Sequence, residues 1–286
     1  MNAQFWLIQS FNGISYGALL FLLASGLTLI FGVIRIVNLS HGAYFLLGGY
    51  IALSVIWTTG SWVLAVPVAA LVVAVVGLVM ERVFLRPLGF DPLRQVLLTV
   101  GFAFLFQQAA LDIWGGNNLD ITPPEMLRGS TVVGELHLPV YRIFMIGMAV
   151  VLGAILWLVM EKTRAGAMIR AAVDDSEMAR GVGIDTSRVS MFIFALGAFL
   201  AALAGVIGGG FLGIYPGLDF EILPVAFAVV IIGGMGSLTG AAVGSLIVGL
   251  ADNFGKALFP EVSYFTLYAP MVLILAVKPT GLFGRE

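Results

Sequence analysis

The chain has 286 residues, 60% apolar and 10% charged, with a mean hydropathy of +1.06 and a formal net charge of -2. A soluble domain carries roughly a quarter charged residues, so an ordinary water-soluble enzyme is excluded; without a basic patch to displace counterions, so is a nucleic-acid partner. No cysteine is present, which removes disulfides, thiolate metal ligands and Cys nucleophiles.

Charge-free runs cover residues 1–34, 36–80, 95–111, 143–160, 189–218, 222–251 and 262–277. Most are long enough to cross about 30 Å of hydrocarbon. They predict an all-α membrane protein, a polytopic helical bundle forming one transmembrane domain over 1–286. The first 34 residues contain no Lys or Arg, so a signal peptide's basic n-region is missing and insertion falls to the first span. In chain order the spans are predicted at 14–34, 42–57, 62–80, 95–111, 143–160, 191–212 and 265–277. The run 223–251 would make a helix of about 43 Å at roughly 1.5 Å per residue, too long for a simple crossing. Its middle reads Gly233-Gly234-Met235-Gly236-Ser237, which predicts a break into two short segments. Eight to ten transmembrane or half-membrane helical segments are expected, some of them interrupted.

Basic residues set the orientation. Arg35, Arg82, Arg86, Arg94, Lys162, Arg164, Arg170, Arg180, Arg188, Lys278 and Arg285, 11 of the 14 Lys and Arg, fall on one side. The connections holding Asp112, Asp120, Glu125 and Glu135, and Asp219 and Glu221, fall opposite. The N-terminus is therefore expected outside and the C-terminus in the cytoplasm, provided that 223–251 enters and returns. The outer loop, 112–142, contains Pro123-Pro124 and His137 and is expected to hold a short hairpin near Thr131 to Leu138. It reads first as a solvated connector and otherwise as a docking surface for an extracytoplasmic protein.

Catalytic signatures are missing. There is no P-loop and no His-Glu-x-x-His, and the two histidines lie 96 positions apart. No span is expected to hold the Asp, Glu or Lys of a proton relay. Catalytic residues, a metal site and a bound cofactor are thus all read as none.

Function is expected in the cytoplasmic loop 161–188, which concentrates ten of the chain's 30 charged residues. Asp174-Asp175-Ser176-Glu177 has the form of a helix start, with Asp174 accepting from backbone N–H groups and Glu177 reaching back. A short helix through Met178, Ala179 and Arg180 would end at Gly181 and Gly183. Such a helix suits a groove on a partner protein, or else lies on anionic headgroups.

Glu177-Met178-Ala179, three residues, Gly183, nine residues and Ile193 resembles the Glu-Ala-Ala loop of ATP-binding-cassette importer permeases, with Met178 replacing the middle Ala and Ala195-Leu196 replacing the terminal Leu-Pro. Asn38-Leu39-Ser40-His41-Gly42, then Gly48-Gly49-Tyr50, and Gly233 through Ala241 resemble the permeases of branched-chain amino-acid importers, as do 163–183, 198–205 and 281–284. The chain looks like the shorter of the two permeases that such systems pair. The resemblance implies a bacterial inner-membrane subunit, a second homologous permease, two ABC ATPase subunits that hydrolyse the ATP, and a periplasmic substrate-binding protein. It also implies that Asp174, Asp175, Glu177, Met178, Ala179, Arg180 and Gly183 couple to the ATPase.

Where a helix is interrupted inside protein, freed backbone groups can face a zwitterionic solute. Asn38, Ser40, His41, Gly42, Gly233, Gly234, Gly236 and Ser237 are therefore candidate path-lining residues, and close helix packing is the alternative for each glycine. Asn38 and Ser40 also suit a cap for the second span; His41 suits either a substrate carboxylate or neighbouring backbone groups. Gln107 and Gln108 are expected to face the interior, as path lining or as glue between helices. The rival readings are a permease of the same superfamily for urea, short amides or a sugar, and an ion-coupled secondary transporter.

Overall fold

The computed structural model describes residues 3–34, 37–89, 91–134 and 136–284. Arg35, Glu135 and Arg285, used in the charge count, lie outside these. The described residues form eleven α-helices: α1 (Ala3–Ile34), α2 (His41–Thr59), α3 (Trp62–Val79), α4 (Pro92–Trp114), α5 (Val140–Lys162), α6 (Arg164–Asp174), α7 (Ser176–Gly181), α8 (Thr186–Leu212), α9 (Leu218–Gly233), α10 (Leu238–Leu258) and α11 (Ser263–Val277). A π-helical stretch, Met80–Leu85, prolongs α3. Eight helices, α1 to α5, α8, α10 and α11, are long and apolar enough to cross a membrane when their flanking turns are counted. The chain is a polytopic helical membrane protein.

Several helices outrun the predicted spans because polar caps lie beyond the apolar runs. Asp91 accepts from Arg94 N at the start of α4 (3.2 Å), and Asp185 accepts from Arg188 N at the start of α8 (3.1 Å). α1 begins at Ala3 rather than Ile14, and the polar Asn12 in its added turns accepts from Arg142 of α5.

The break in 223–251 is present. Helix α9 ends at Gly233, residues 234–237 turn, and α10 begins at Leu238. Successive close approaches of Gly233 to Gly240 and of Val229 to Gly244 show the two helices running antiparallel. The second segment is not short: α10 has 21 residues, continuing past Ala251 because Asp252 pairs with Lys256 at 2.7 Å. Nor do Asp219 and Glu221 belong to a connection. They occupy the first turn of α9, where the positive end of the helix dipole favours carboxylates. At 16 residues, α9 spans about 24 Å, short of a full crossing.

Taken with α9, the described helices alternate in direction, so Ala3 and Gly284 lie at opposite faces. Trp6 of α1 packs against Phe254 of α10 at one face, with ring centroids 5.5 Å apart. At the other, Gly236 approaches Gly32 of α1, and the tail 281–284 packs against Gly234. The α6–α7 loop shares the tail's face, since Arg180 and Thr186 line one cavity with Ile34. The opposite face carries the antiparallel hairpin Ser130–Val133 with Leu136–Pro139, as expected near 131–138, and the earlier part of the same loop is tied down by a bridge between Leu119 and Ile214.

The core lies where α1, α2 and α8 cross. Gly48 of α2 meets the Ala202 backbone, Gly205 of α8 meets the Phe45 carbonyl, and Gly26 of α1 meets Gly197. Small residues let these backbones touch, which is how helices pack where lipid supplies no hydrophobic drive.

Candidate functional site

The α6–α7 loop is a capped, stiff appendage. Helix α6 opens on Thr163, whose Oγ1 accepts from Gly166 N at 3.1 Å. It lays Ile169 and Ala172 inward, and Gly166 fits beneath the Val159 and Met160 carbonyls. Its last residue is Asp174, so the cap expected at Asp174 is corrected to Asp175. The backbone at Asp175 is extended (φ -152°), which separates the two helices, and its Oδ1 accepts from Glu177 N and Met178 N, each at 2.9 Å. The register moves by one because Asp174 still continues the previous helix. Three residues after the true cap stands Met178, which has no group to complete a capping box.

The C-terminal end of α7 follows the Schellman pattern. Ile184 N donates to Ala179 O (2.9 Å), Gly183 N donates to Arg180 O (3.0 Å), and Gly183 takes φ +89°. Ala179 anchors the helix inward, while Met178 and Val182 are 66% and 71% exposed. Glu177 and Arg180 are exposed beside them. A rigid helical turn with an apolar tip and charged flanks has the form of a plug for a partner's groove.

The second group of predicted residues lies inside the bundle. Helix α2 starts at depth: Leu39 N donates to Thr99 Oγ1 of α4 (3.2 Å), and the ring Nε2 of His41 lies 3.0 Å from Leu23 O of α1. Asn38, Ser40 and His41 are fully buried. Ser40 occupies the cap position without capping. Its Oγ donates to Asn38 Oδ1 at 2.6 Å, and Asn38 Oδ1 also accepts from Ser40 N at 3.1 Å, an Asx turn that displaces the expected cap. Gly42 admits the Asp219 carbonyl of α9, so the starts of two helices meet here. Asn38 Nδ2, His41 Nδ1 and both carboxylate oxygens of Asp219 have no hydrogen-bond partner, an uncommon concentration of unmet polar groups.

Asp219 was missed in the sequence, and the expectation that no span holds an acid is corrected. Glu81, Asp219 and Asp252 are all buried within helices. A helix-start reading of Gly217-Leu218-Asp219 would have placed Asp219. Gln107 is half-buried near Gly217, whereas Gln108 is exposed and donates to Asp112 Oδ1 at 2.9 Å; its (i, i+4) partner on the same helix holds it outward.

Gly233, Gly234, Gly236 and Ser237 form a separate site. Gly234 and Gly236 take φ +98° and +84°, and Ser237 caps α10 through Gly240 N at 3.0 Å. The orphan carbonyls ending α9 are taken by the tail: Leu282 N donates to Ile232 O and Phe283 N to Gly233 O, each at 2.9 Å. His41 and Gly236 touch α1 at Gly26 and Gly32 respectively, so the two breaks sit about 9 Å apart along α1 at roughly 1.5 Å per residue.

Apolar residues that sequence reasoning passed over line a cavity of about 430 Å³ beside the α2 start, including Leu39, Val100, Phe220, Leu223, Phe227 and Met271.

Comparison with known proteins agrees with this architecture. The model of the branched-chain amino acid transport system permease component matches residues 9–275. The chain is 32% identical to the high-affinity branched-chain amino acid transport system permease protein LivH of Escherichia coli, over 100% of this chain and 98% of that protein. It is 30% identical to BraD of Pseudomonas aeruginosa, over 98% and 96%. Among solved structures, PsaBC from Streptococcus pneumoniae shares the fold, with a TM-score of 0.50 and 12% identity over 93% of this chain and 89% of that one. The chain belongs to the permease component family of branched-chain amino acid transport systems.

Proposed function

We propose that the chain is a membrane-spanning subunit of an ATP-driven importer of branched-chain amino acids in a bacterial inner membrane. It works with a second homologous permease, two ABC ATPase subunits that bind and hydrolyse the ATP, and a periplasmic substrate-binding protein. The observation that carries this reading is α7: a doubly capped helical turn presenting Met178 and Val182 at the face rich in Lys and Arg. That face is the cytoplasmic one, with the N-terminus outside and the C-terminus inside.

Asp175, Glu177, Met178, Ala179, Arg180 and Gly183 form the docking element for an ATPase, and Asp174 ends the helix that carries it. Closure of the ATPases pushes α7, and α6, packed on α1 and α5, passes the motion into the bundle. The apolar cavity at Leu39, Val100 and Leu223 lies beside the interrupted start of α2, with Asn38, Ser40, His41 and Gly42 behind it. Its apolar lining, aliphatic and aromatic, suits a branched hydrocarbon side chain better than urea or a sugar. Gln107 lies along the same route, while Gly233, Gly234, Gly236 and Ser237 close the cytoplasmic end.

Cargo selectivity is the test. Proteoliposomes holding the full assembly, supplied with ATP and the binding protein, should accumulate labelled leucine at least tenfold over labelled urea or ribose. Uptake of urea or ribose with none of leucine would overturn the assignment of cargo.

A further inference from the structure

Helix α7 is small for a docking element. A stable interface buries about 800 Å² on each partner, spread over roughly 20–30 residues, and α7 has six. A partner that seats α7 must therefore bear on more of the same face. Of the large apolar side chains exposed there, Val83 and Leu93 prolong the lipid-facing stripes of α3 (Val75, Val79) and α4 (Leu97), so lipid covers them. Met235 and Phe283, 52% and 45% exposed, prolong no stripe. Gly234, at φ +98°, ends α9 before Met235, and Phe283 lies in the tail beyond α11.

Both side chains stand on one stiff platform. Besides the two bonds from the tail to the end of α9, Ser237 N donates to Gly234 O at 3.1 Å, Gly236 N donates to Thr28 Oγ1 of α1 at 3.2 Å, and Lys278 Nζ donates to Leu282 O at 2.8 Å. Gly234 lies against the backbone of Phe283 and Gly284, so the backbone carrying Met235 adjoins that carrying Phe283. The platform flanks the end of α1 on the side away from α7. Gly236 touches Gly32, whereas Ile34 lines the cavity shared with Arg180, and two residues turn about 200° round a helix of 3.6 residues per turn. The width of α1, about 10–12 Å, separates the two apolar tips, a spacing that one globular subunit spans. We propose that Met235 and Phe283 form a second seat for the ATPase subunit that receives α7. The identity of that subunit rests on the importer reading given above; the seat rests on the exposed pair, the bonded turn beneath it and its place beside α1. One subunit then bears both on α7 and on the turn that closes the cytoplasmic end of the route, so its displacement moves the two together.

The chain contains no cysteine, so a single introduced thiol reports its own position. Met235→Cys, Phe283→Cys, Met178→Cys and, on the opposite face, Met126→Cys are each labelled with benzophenone maleimide in the full-length chain before the ATPases are added, then irradiated in the assembled complex, and the adducts are identified by mass. Met235→Cys and Phe283→Cys should each give an ATPase adduct at a yield at least fivefold above that of Met126→Cys. The double variant Met235→Asp, Phe283→Asp, changed only at exposed side chains, should insert normally and lower copurification of the ATPases at least fivefold. Adducts from both positions with lipid or the second permease alone overturn the seat, as does unchanged copurification in the double variant. An ATPase adduct from Met178→Cys without one from the other two positions overturns the seat and leaves α7 as the docking element. Failure of the importer reading is a different result, in which the parent chain retains no ATPase at all.

Discussion

Gly205→Ala should destabilise the protein by about 3 kcal/mol, the upper part of the usual range for overpacking. At roughly 2–4 °C per kcal/mol, the unfolding midpoint should drop by roughly 6–12 °C. The added methyl group would overlap the Phe45 carbonyl oxygen where α2 crosses α8, and a backbone atom in the middle of a helix cannot swing aside as a side-chain tip does. Gly205→Leu should leave little folded protein. The matched control is Gly147→Ala in α5, where nothing lies within 4 Å of the new methyl. There the helix propensity of Ala should raise stability by up to about 1 kcal/mol. Thermal unfolding of the detergent-solubilised variants checks both. Equal midpoints for Gly205→Ala and the parent would mean that α2 and α8 do not touch through their backbones.

Asp175→Ala, Glu177→Lys and Gly183→Val should each lower ATP-dependent uptake by tenfold or more while leaving membrane insertion intact. The six residues of α7 are too few to hold a helix alone, since isolated helices need about 12–15 residues. Its order therefore depends on its caps. Losing Asp175 frees two N–H groups at a cost of about 1 kcal/mol. Valine at φ +89° is strained by roughly 1–3 kcal/mol. Glu177→Lys places a cation at the positive end of the helix and reverses the charge offered to a partner. Copurification of the ATPases and stimulated hydrolysis separate lost docking from lost coupling. Met126→Ala, at a residue 90% exposed on the opposite face, should change neither. Normal uptake and hydrolysis in all three α7 variants would remove the docking assignment.

The helical bundle was legible because burial in lipid forces long uncharged runs, and the break near Gly234 was legible because glycines there serve the turn itself. The α7 element was legible in kind but not in register: a pair of adjacent aspartates offers two cap positions, and only the path of the preceding helix chooses Asp175. The buried acids were hidden for a related reason. Asp219 and Glu81 stand at the edges of apolar runs, where a charge reads as the boundary of a span. In the folded chain, α9 starts before Asp219, and the π-helical turn carries Glu81 inward. Meetings across the chain, such as Gly42 with the Asp219 carbonyl or the tail with Gly233, leave no local pattern in the sequence.

On the reading proposed above, this chain is a gate moved by ATPases it does not contain. The most direct measurement is leucine uptake into proteoliposomes carrying the two permeases, with and without the ATPase subunits. ATP-dependent accumulation only with the ATPases present is the predicted result; accumulation of leucine by the permeases alone would contradict it.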